Sequence, residues 1–397
     1  MTTAPVPREH LHAVTRAVTR ASEAPDDLLD ALGPDGFAWL RDGCGFVTTG
    51  VAARVAPGDA AALLGSIEHD DELDRPGTGP LAVGALPFSP DSSAELLIPA
   101  RIVGRDRDGR GWVTELGPRL HVSPPPATPP DAFTVRELTS REHWHHAVEA
   151  ALAAIARGEL EKVVLARRVE IEADRPFDLR TVLARLRSQQ PGCFVYAGDG
   201  IVGASPELLV RRHGHAVESI PRAGTATASD AAAIEALRNS AKDAREHRPV
   251  VEAIVAALDP LCEHLDAVPE PEVAVFATIA HLVTPIRGVL QSPAPDALAL
   301  ALAMHPTPAV GGAPRSTALD AIARLEGHPR GRYAGPVGWL DARGDGEWAV
   351  ALRGATIEGA RALLLAGAGI VAGSDPDAEW RETEAKLEPM VRALVRP

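Results

Sequence analysis

The chain has 397 residues, 45% of them hydrophobic, which is enough to bury a substantial core without disulfide or metal staples. Its 54 acidic and 40 basic residues leave a net charge of −14, a field that repels nucleic acid and anionic lipid and argues against both as partners. Three cysteines, Cys44, Cys193 and Cys262, show no paired spacing, which argues against a disulfide framework or a zinc site and fits a reducing cytoplasm. The opening MTTAPVPREH lacks a basic-then-apolar signal, and the longest apolar run, Ala362–Ala372, is interrupted by Gly367 and Gly369 and is too short to span a bilayer. The expectation is a soluble cytoplasmic protein.

In chain order, short strand-like pieces come first, among them Gly36–Leu40 and Ala94–Val103. The Pro-rich His121–Pro130 reads as a linker or as a long surface loop. Ser140–Arg157 follows as a helix capped by Ser140, then a β-branched strand over Lys162–Ile171. Gly192–His213 reads as strand, turn and strand, Asp230–Leu265 as helix broken near Pro260, Phe276–Leu290 as extended chain, and Asp296–Met304 as a short helix. Val337–Asp341, Glu347–Ile357 and Arg361–Val371 are three extended runs with turn chemistry between them. A closing helix starts at Asp375–Pro376, with Asp as the cap and Pro in the first turn. Strand runs with segregated helices predict an α+β architecture.

Several positions could carry chemistry, each with a plain alternative. Glu379, Glu382 and Lys386 share one face of the closing helix, and Asp243 and Glu246 share a face within KDAREH. Such carboxylates can hold a hard cation or form ordinary solvated pairs, such as Lys242 with Glu246. Lys162 shares a strand face with Val164 and Ala166; it is a desolvated base or an edge-strand gatekeeper. Glu207, in GASPELL, is a general acid among apolar neighbours or a turn-edge glutamate. Arg353 ends EWAVALR on a face with the small Ala349 and Ala351, free to grip a carboxylate or to serve in a structural salt bridge. Gly224–Thr225 and Gly367–Gly369 would let backbone N–H groups approach an anion, and HPTPAVGGAP over 305–314 is a stiff loop.

The succession KVVLARR, GASPELL, AGT, KDAREH, HLVTPIRG, HPTPAVGG, YAGPVGWLD, GEWAVALRGA, AGAGIV and SDPDAEWRETEAK resembles the chorismate-utilising enzymes over roughly residues 135–395; the stretch 1–134 is less diagnostic. Lysine at 162, where ammonia-using relatives carry glutamine, and HPTPAVGG with Ala309 resemble the isochorismate synthase branch. The resemblance implies one α+β domain over 1–397, with two large, mainly antiparallel sheets packed face to face and helices outside, and it makes the Pro-rich stretch a loop.

It also implies a Mg²⁺-dependent conversion of chorismate to isochorismate. Lys162 would take a proton from water attacking C2, and Glu207 would protonate the departing C4 hydroxyl. Glu246 and Glu382 resemble direct magnesium ligands, with Asp243 and Glu379 acting through metal-bound water. Lys386, Gly224 and Thr225 would help hold the ring carboxylate; Arg353 and Tyr333, near the Gly369 backbone, would hold the enolpyruvyl carboxylate; His281 would line the ring pocket. The implied protein is a monomer without a glutaminase subunit. The branch leaves open a salicylate synthase, which adds pyruvate elimination, and a catalytically silent chorismate binder. This chain departs from relatives in PRAGTAT, with Arg222 for leucine and Ala226 for arginine, and in Asp243 where some relatives have glutamate.

Overall fold

The computed structural model describes residues 16–22, 25–116, 128–227, 229–268, 271–275 and 279–395. Residues 121–127 of the Pro-rich stretch and 276–278 of the expected extended run lie outside these. Among the described residues the helices are α1 (Ala60–Ser66), α2 (Arg141–Ala156), α3 (Leu179–Gln189), α4 (Ala231–Arg238), α5 (Ala241–Leu258), α6 (Ala297–Met304), α7 (Arg315–Glu326) and α8 (Pro376–Val395). None is long and apolar enough to cross a membrane.

Among the described residues the strands form one hydrogen-bonded network of 20, with a separate three-stranded sheet, and nearly all pairings are antiparallel. The network has two arms. One runs from Leu81–Ala85 through Pro336–Asp341, Gly346–Val350 and Leu208–His213 to Ala216–Ile220. The other runs from Cys44–Val55 through Ala38–Arg41, Phe194–Gly198, Ile201–Ser205, Gly354–Glu358 and Arg361–Ile370 to Lys162–Ala173. Leu96–Arg105 joins them, pairing with Cys44–Val55 and Leu81–Ala85. Strands from both sides of the Pro-rich stretch thus interleave.

The arms pack face to face. Phe37, Trp39, Phe46 and Tyr196 of one share a buried cluster with Leu81, Val83, Val337 and Trp339 of the other. Phe46 meets Trp339 edge-on, and Trp39 Nε1 donates to Glu347 Oε2 across the layers at 2.8 Å. Outside the first arm lies α6 with α5 packed on it; outside the second lie α2 and α7 against Lys162–Ala173, α3 against Phe194–Gly198 and Ile201–Ser205, and α8 against Arg361–Ile370, each burying an apolar face. The expected pair of sheets is therefore present as two layers of a single hydrogen-bonded network.

Local signals set several boundaries as expected. Ser140 caps α2 by accepting from His143 N, Asp296 caps α6, and Asp375 Oδ1 accepts from Ala378 N at the start of α8. Other boundaries differ. The helix expected over Asp230–Leu265 breaks at Asn239–Ser240, because Ser240 Oγ accepts from Asp243 N and starts a new helix there. Past α5 the chain turns at Asp259–Leu261 and enters the strand Cys262–Ala267, so the expected helix also ends early. Gly192–His213 holds three strands rather than two. The run expected over Glu347–Ile357 splits into Gly346–Val350 and Gly354–Glu358, because Arg353 adopts φ +49° and interrupts the alternation.

Candidate active site

Where Lys162–Ala173, α5, α8 and the 305–313 loop converge, they enclose a cavity of about 420 Å³, a volume suited to one small molecule. Lys162, Glu207, Gly224, Asp243, Glu246, His281, Ala309, Tyr333, Arg353, Glu382 and Lys386 all line it. Residues some 220 positions apart in sequence, from Lys162 to Lys386, are thereby gathered around one space.

Lys162 opens its strand where the pattern is buried on both faces, and its side chain is only 2% exposed. It is no gatekeeper: Nζ stands 3.1 Å from Glu246 Oε1 and 3.3 Å from the Glu246 carbonyl. Glu246 therefore faces the cavity and Lys162, and the Lys242 side chain of the alternative surface pair lies outside the described residues. The Ser240 cap sets this phase, placing Asp243 in the first turn of α5 and Glu246 one turn on, both toward the cavity. Backbone fits closely against both carboxylates. At Gly224 (φ +59°) a Cβ would lie 3.0 Å from the Asp243 carboxyl, and at Gly369 a Cβ would lie 2.2 Å from Glu246 Oε1.

On α8, Lys386 donates to Glu382 Oε1 at 2.7 Å and to the Gly367 carbonyl at 3.0 Å. Burial alone would lower the Lys386 pKa, but Glu382 and Glu246 together hold it above its ordinary value. The two helices thus bring their carboxylates to one ammonium. Glu379, on the same helix, is 1% exposed and does not line the cavity. The Thr225 side chain lies outside the described residues. Gly369 is not part of the open wall, yet its backbone lies directly behind Glu246 and Lys162.

Glu207 is 7% exposed, so it is no surface turn residue. Burial pushes its pKa up to about 7, against the opposing pull of Arg222, Lys162 and Lys386. Arg353 sits at the strand break, where burial lowers its pKa and Cys193 opposes the shift; among the described residues its guanidinium meets no carboxylate. A half-buried cation that meets no carboxylate among the described residues leaves room for one from a ligand. Tyr333 is half-buried, with its hydroxyl 3.1 Å from where a Gly367 Cβ would stand. The His281 Nδ1–H donates to the Gly224 carbonyl at 2.8 Å, and burial lowers the ring's pKa to about 4, so it is neutral at pH 7.

Sequence reasoning missed Val164, Pro206, Val310, Leu352 and Ala385 in the lining, and it noted Arg222 only as a departure. Apolar wall residues carry no chemical signature of their own. Among the described residues, no three His, Cys, Asp or Glu side chains stand together as a ready-made metal site. Asp243, Glu246 and Glu382 nonetheless supply hard oxygen donors to one cavity. Magnesium takes one or two direct carboxylates and fills its octahedron with water and substrate oxygens, so this donor set fits that ion without a preformed triad.

A cavity that pairs a lysine with a near-neutral glutamic acid, beside a guanidinium awaiting an anion, belongs to an enzyme acting on a small carboxylated molecule. A family model described as chorismate binding enzyme matches residues 114–395, and the chain belongs to that family. The chain is 37% identical over 334 residues to isochorismate synthase DhbC of Bacillus subtilis, covering 79% of this chain and 81% of that protein. It is 33% identical over 400 residues to isochorismate synthase EntC of Escherichia coli, covering 95% and 99%. Its fold superposes on the structure of MenF, the menaquinone-specific isochorismate synthase from Escherichia coli, with a TM-score of 0.82 at 28% identity, over 98% of this chain and 97% of that one.

Proposed function

We propose that the chain is an isochorismate synthase that converts chorismate to isochorismate with Mg²⁺. The observation that carries this reading is that Lys162 and Glu207 line the same cavity, with burial holding Glu207 near neutrality. The reaction needs a base and an acid at one ring, each close to its working protonation state. The named relatives support the choice of reaction.

Lys162 takes a proton from water as the oxygen bonds to C2. The ring double bonds shift, the C4–O bond breaks, and Glu207 gives its proton to the departing hydroxyl, which leaves as water. Arg353 and Tyr333 hold the enolpyruvyl carboxylate, and Arg353 suits the task because it has no competing carboxylate among the described residues. Gly224, Thr225 and Lys386 help hold the ring carboxylate, with His281 and Ala309 lining the ring.

Glu246 and Glu382 would hold Mg²⁺ directly, and Asp243 and Glu379 would reach it through water, Glu379 from outside the cavity lining. When bound, the ion would supply positive charge for the ring carboxylate. Because the nucleophile is water, the reading requires no ammonia and no glutaminase. The test is chromatographic analysis of products from purified protein, chorismate and Mg²⁺. Isochorismate from the wild type and none from Lys162→Ala supports the reading; salicylate with pyruvate, or unchanged chorismate, overturns it.

A further inference from the structure

The strand Lys162–Ala173 is paired along one edge with Arg361–Ile370. Its other edge has backbone partners toward the ends: Gly312–Ala313 opposite Lys162–Val163, with Val164 N donating to the Gly311 carbonyl at 2.8 Å, and Phe133–Glu137 opposite residues 169–173, with Leu138 N donating to the Arg168 carbonyl at 3.0 Å. In the gap between them, among the described residues, side chains take the place of a strand. Arg330 Nη2 donates to the Val164 carbonyl at 2.7 Å, and Glu326 Oε1 accepts from Ala166 N at 2.8 Å. Thr139 Oγ1 accepts from Arg168 N at 3.1 Å.

Glu326 and Arg330 are joined as an ion pair, with their side chains 2% and 1% exposed. A pair buried so deeply gains little stability over apolar residues of the same size. What it supplies is direction. Arg330 Nη1 also donates to the Val310 carbonyl at 2.7 Å, and its guanidinium lies over the Phe88 ring at 4.4 Å and nearer the edge of contact with Tyr333 at 5.9 Å. Val164, Val310 and Tyr333 are all walls of the cavity, and Lys162 lies two residues from Val164 on the same strand. One planar fork therefore ties together the strand that bears the base, the loop that bears Ala309, and Tyr333.

We infer that Glu326 and Arg330 are positioning residues for the reaction: by substituting for a missing strand segment, they fix where Lys162 stands relative to the facing wall at Val310. This rests on the isochorismate synthase reading. Proton transfer depends steeply on placement, so the pair acts on turnover more than on binding. Lysine cannot replace the arginine, because one ammonium cannot serve Val164, Val310 and Glu326 in the fixed geometry of a guanidinium.

The test compares the wild type with Arg330→Lys and Glu326→Gln. It measures kcat and KM for chorismate at saturating Mg²⁺, amide hydrogen exchange over residues 162–168, and circular dichroism. The expected result is a kcat at least about tenfold lower with KM changed less than about threefold, faster exchange confined to that strand edge, and an unchanged overall fold. Should Arg330→Lys fail to fold, the milder Glu326→Gln carries the comparison, since it keeps an oxygen for Ala166 N. Faster exchange with kcat per folded molecule unchanged would make the pair merely structural and overturn the inference, as would exchange equal to that of the wild type. A wild type that leaves chorismate untouched would overturn the underlying reading as well, so the two failures are distinguishable.

Discussion

Replacing Gly369 with alanine adds one methyl group behind the two side chains assigned to the metal and the base. The new Cβ would lie 2.2 Å from Glu246 Oε1, 2.9 Å from its carboxyl carbon and 3.0 Å from Lys162 Cε. Relaxed contacts lie at about 3.5–4.0 Å, so the Glu246 carboxylate has to retreat by more than about 1 Å. All three obstructing atoms lie toward the far ends of flexible side chains, so the fold absorbs the change; overpacking costs about 1–3 kcal/mol, partly offset by about 0.4–1 kcal/mol from removing a glycine. The displaced oxygen, however, is the one 3.1 Å from Lys162 Nζ. A shift of about 1 Å at a reacting constellation costs up to about 10²-fold in rate. Gly369→Ala is therefore expected to melt close to the wild type while losing about 10- to 100-fold in kcat/KM and requiring more Mg²⁺ for half-maximal rate. Gly65→Ala is the control, since nothing lies within 4 Å of its added Cβ. Thermal denaturation and steady-state kinetics with a Mg²⁺ titration decide the matter. Kinetics and metal requirement within about twofold of the wild type would refute the placement of Gly369 against this machinery.

Three further outcomes follow from the same geometry. Glu207 must carry a proton to act, and burial raises its pKa to about 7, so kcat/KM should fall as pH rises through that value; a rate flat from pH 6 to 9 would remove Glu207 as the acid. Arg353→Met deletes a charge-assisted grip worth about 1.5–3 kcal/mol, so KM for chorismate should rise about 10- to 150-fold with a smaller change in kcat; an unchanged KM would place the carboxylate elsewhere. Excess chelator should abolish turnover and added Mg²⁺ restore it; full activity in chelator would count against Glu246 and Glu382 as ligands.

Much of the fold was legible because its signals are local. Ser140, Asp296 and Asp375 announce their helices through their own side chains, and the β-branched run at Lys162 announces its strand. The break at Ser240 was harder to see: the flanking Ala-Leu-Arg and Ala-Lys-Asp both favour helix, and only the hydroxyl's choice of the Asp243 N–H decides it. Alternation failed at Arg353, since a positive φ is not written in the residue type. At the site, residue types and order gave the candidates but could not choose between Lys162 as a gatekeeper and as a buried group. Glu246, 84 residues on, makes that choice in three dimensions. Glu326 and Arg330, four apart at a helix end, resemble any solvated surface pair. Their burial arises only when the 305–313 loop and the Lys162 strand close over them, which no local pattern encodes.

The claim that water is delivered to C2 while the C4 hydroxyl departs can be tested by running the reaction in H₂¹⁸O and locating the label by mass spectrometry. The account predicts one ¹⁸O in the isochorismate formed, carried on the C2 hydroxyl. Isochorismate without label would mean that the original hydroxyl migrates within the ring, leaving Lys162 without a water to activate.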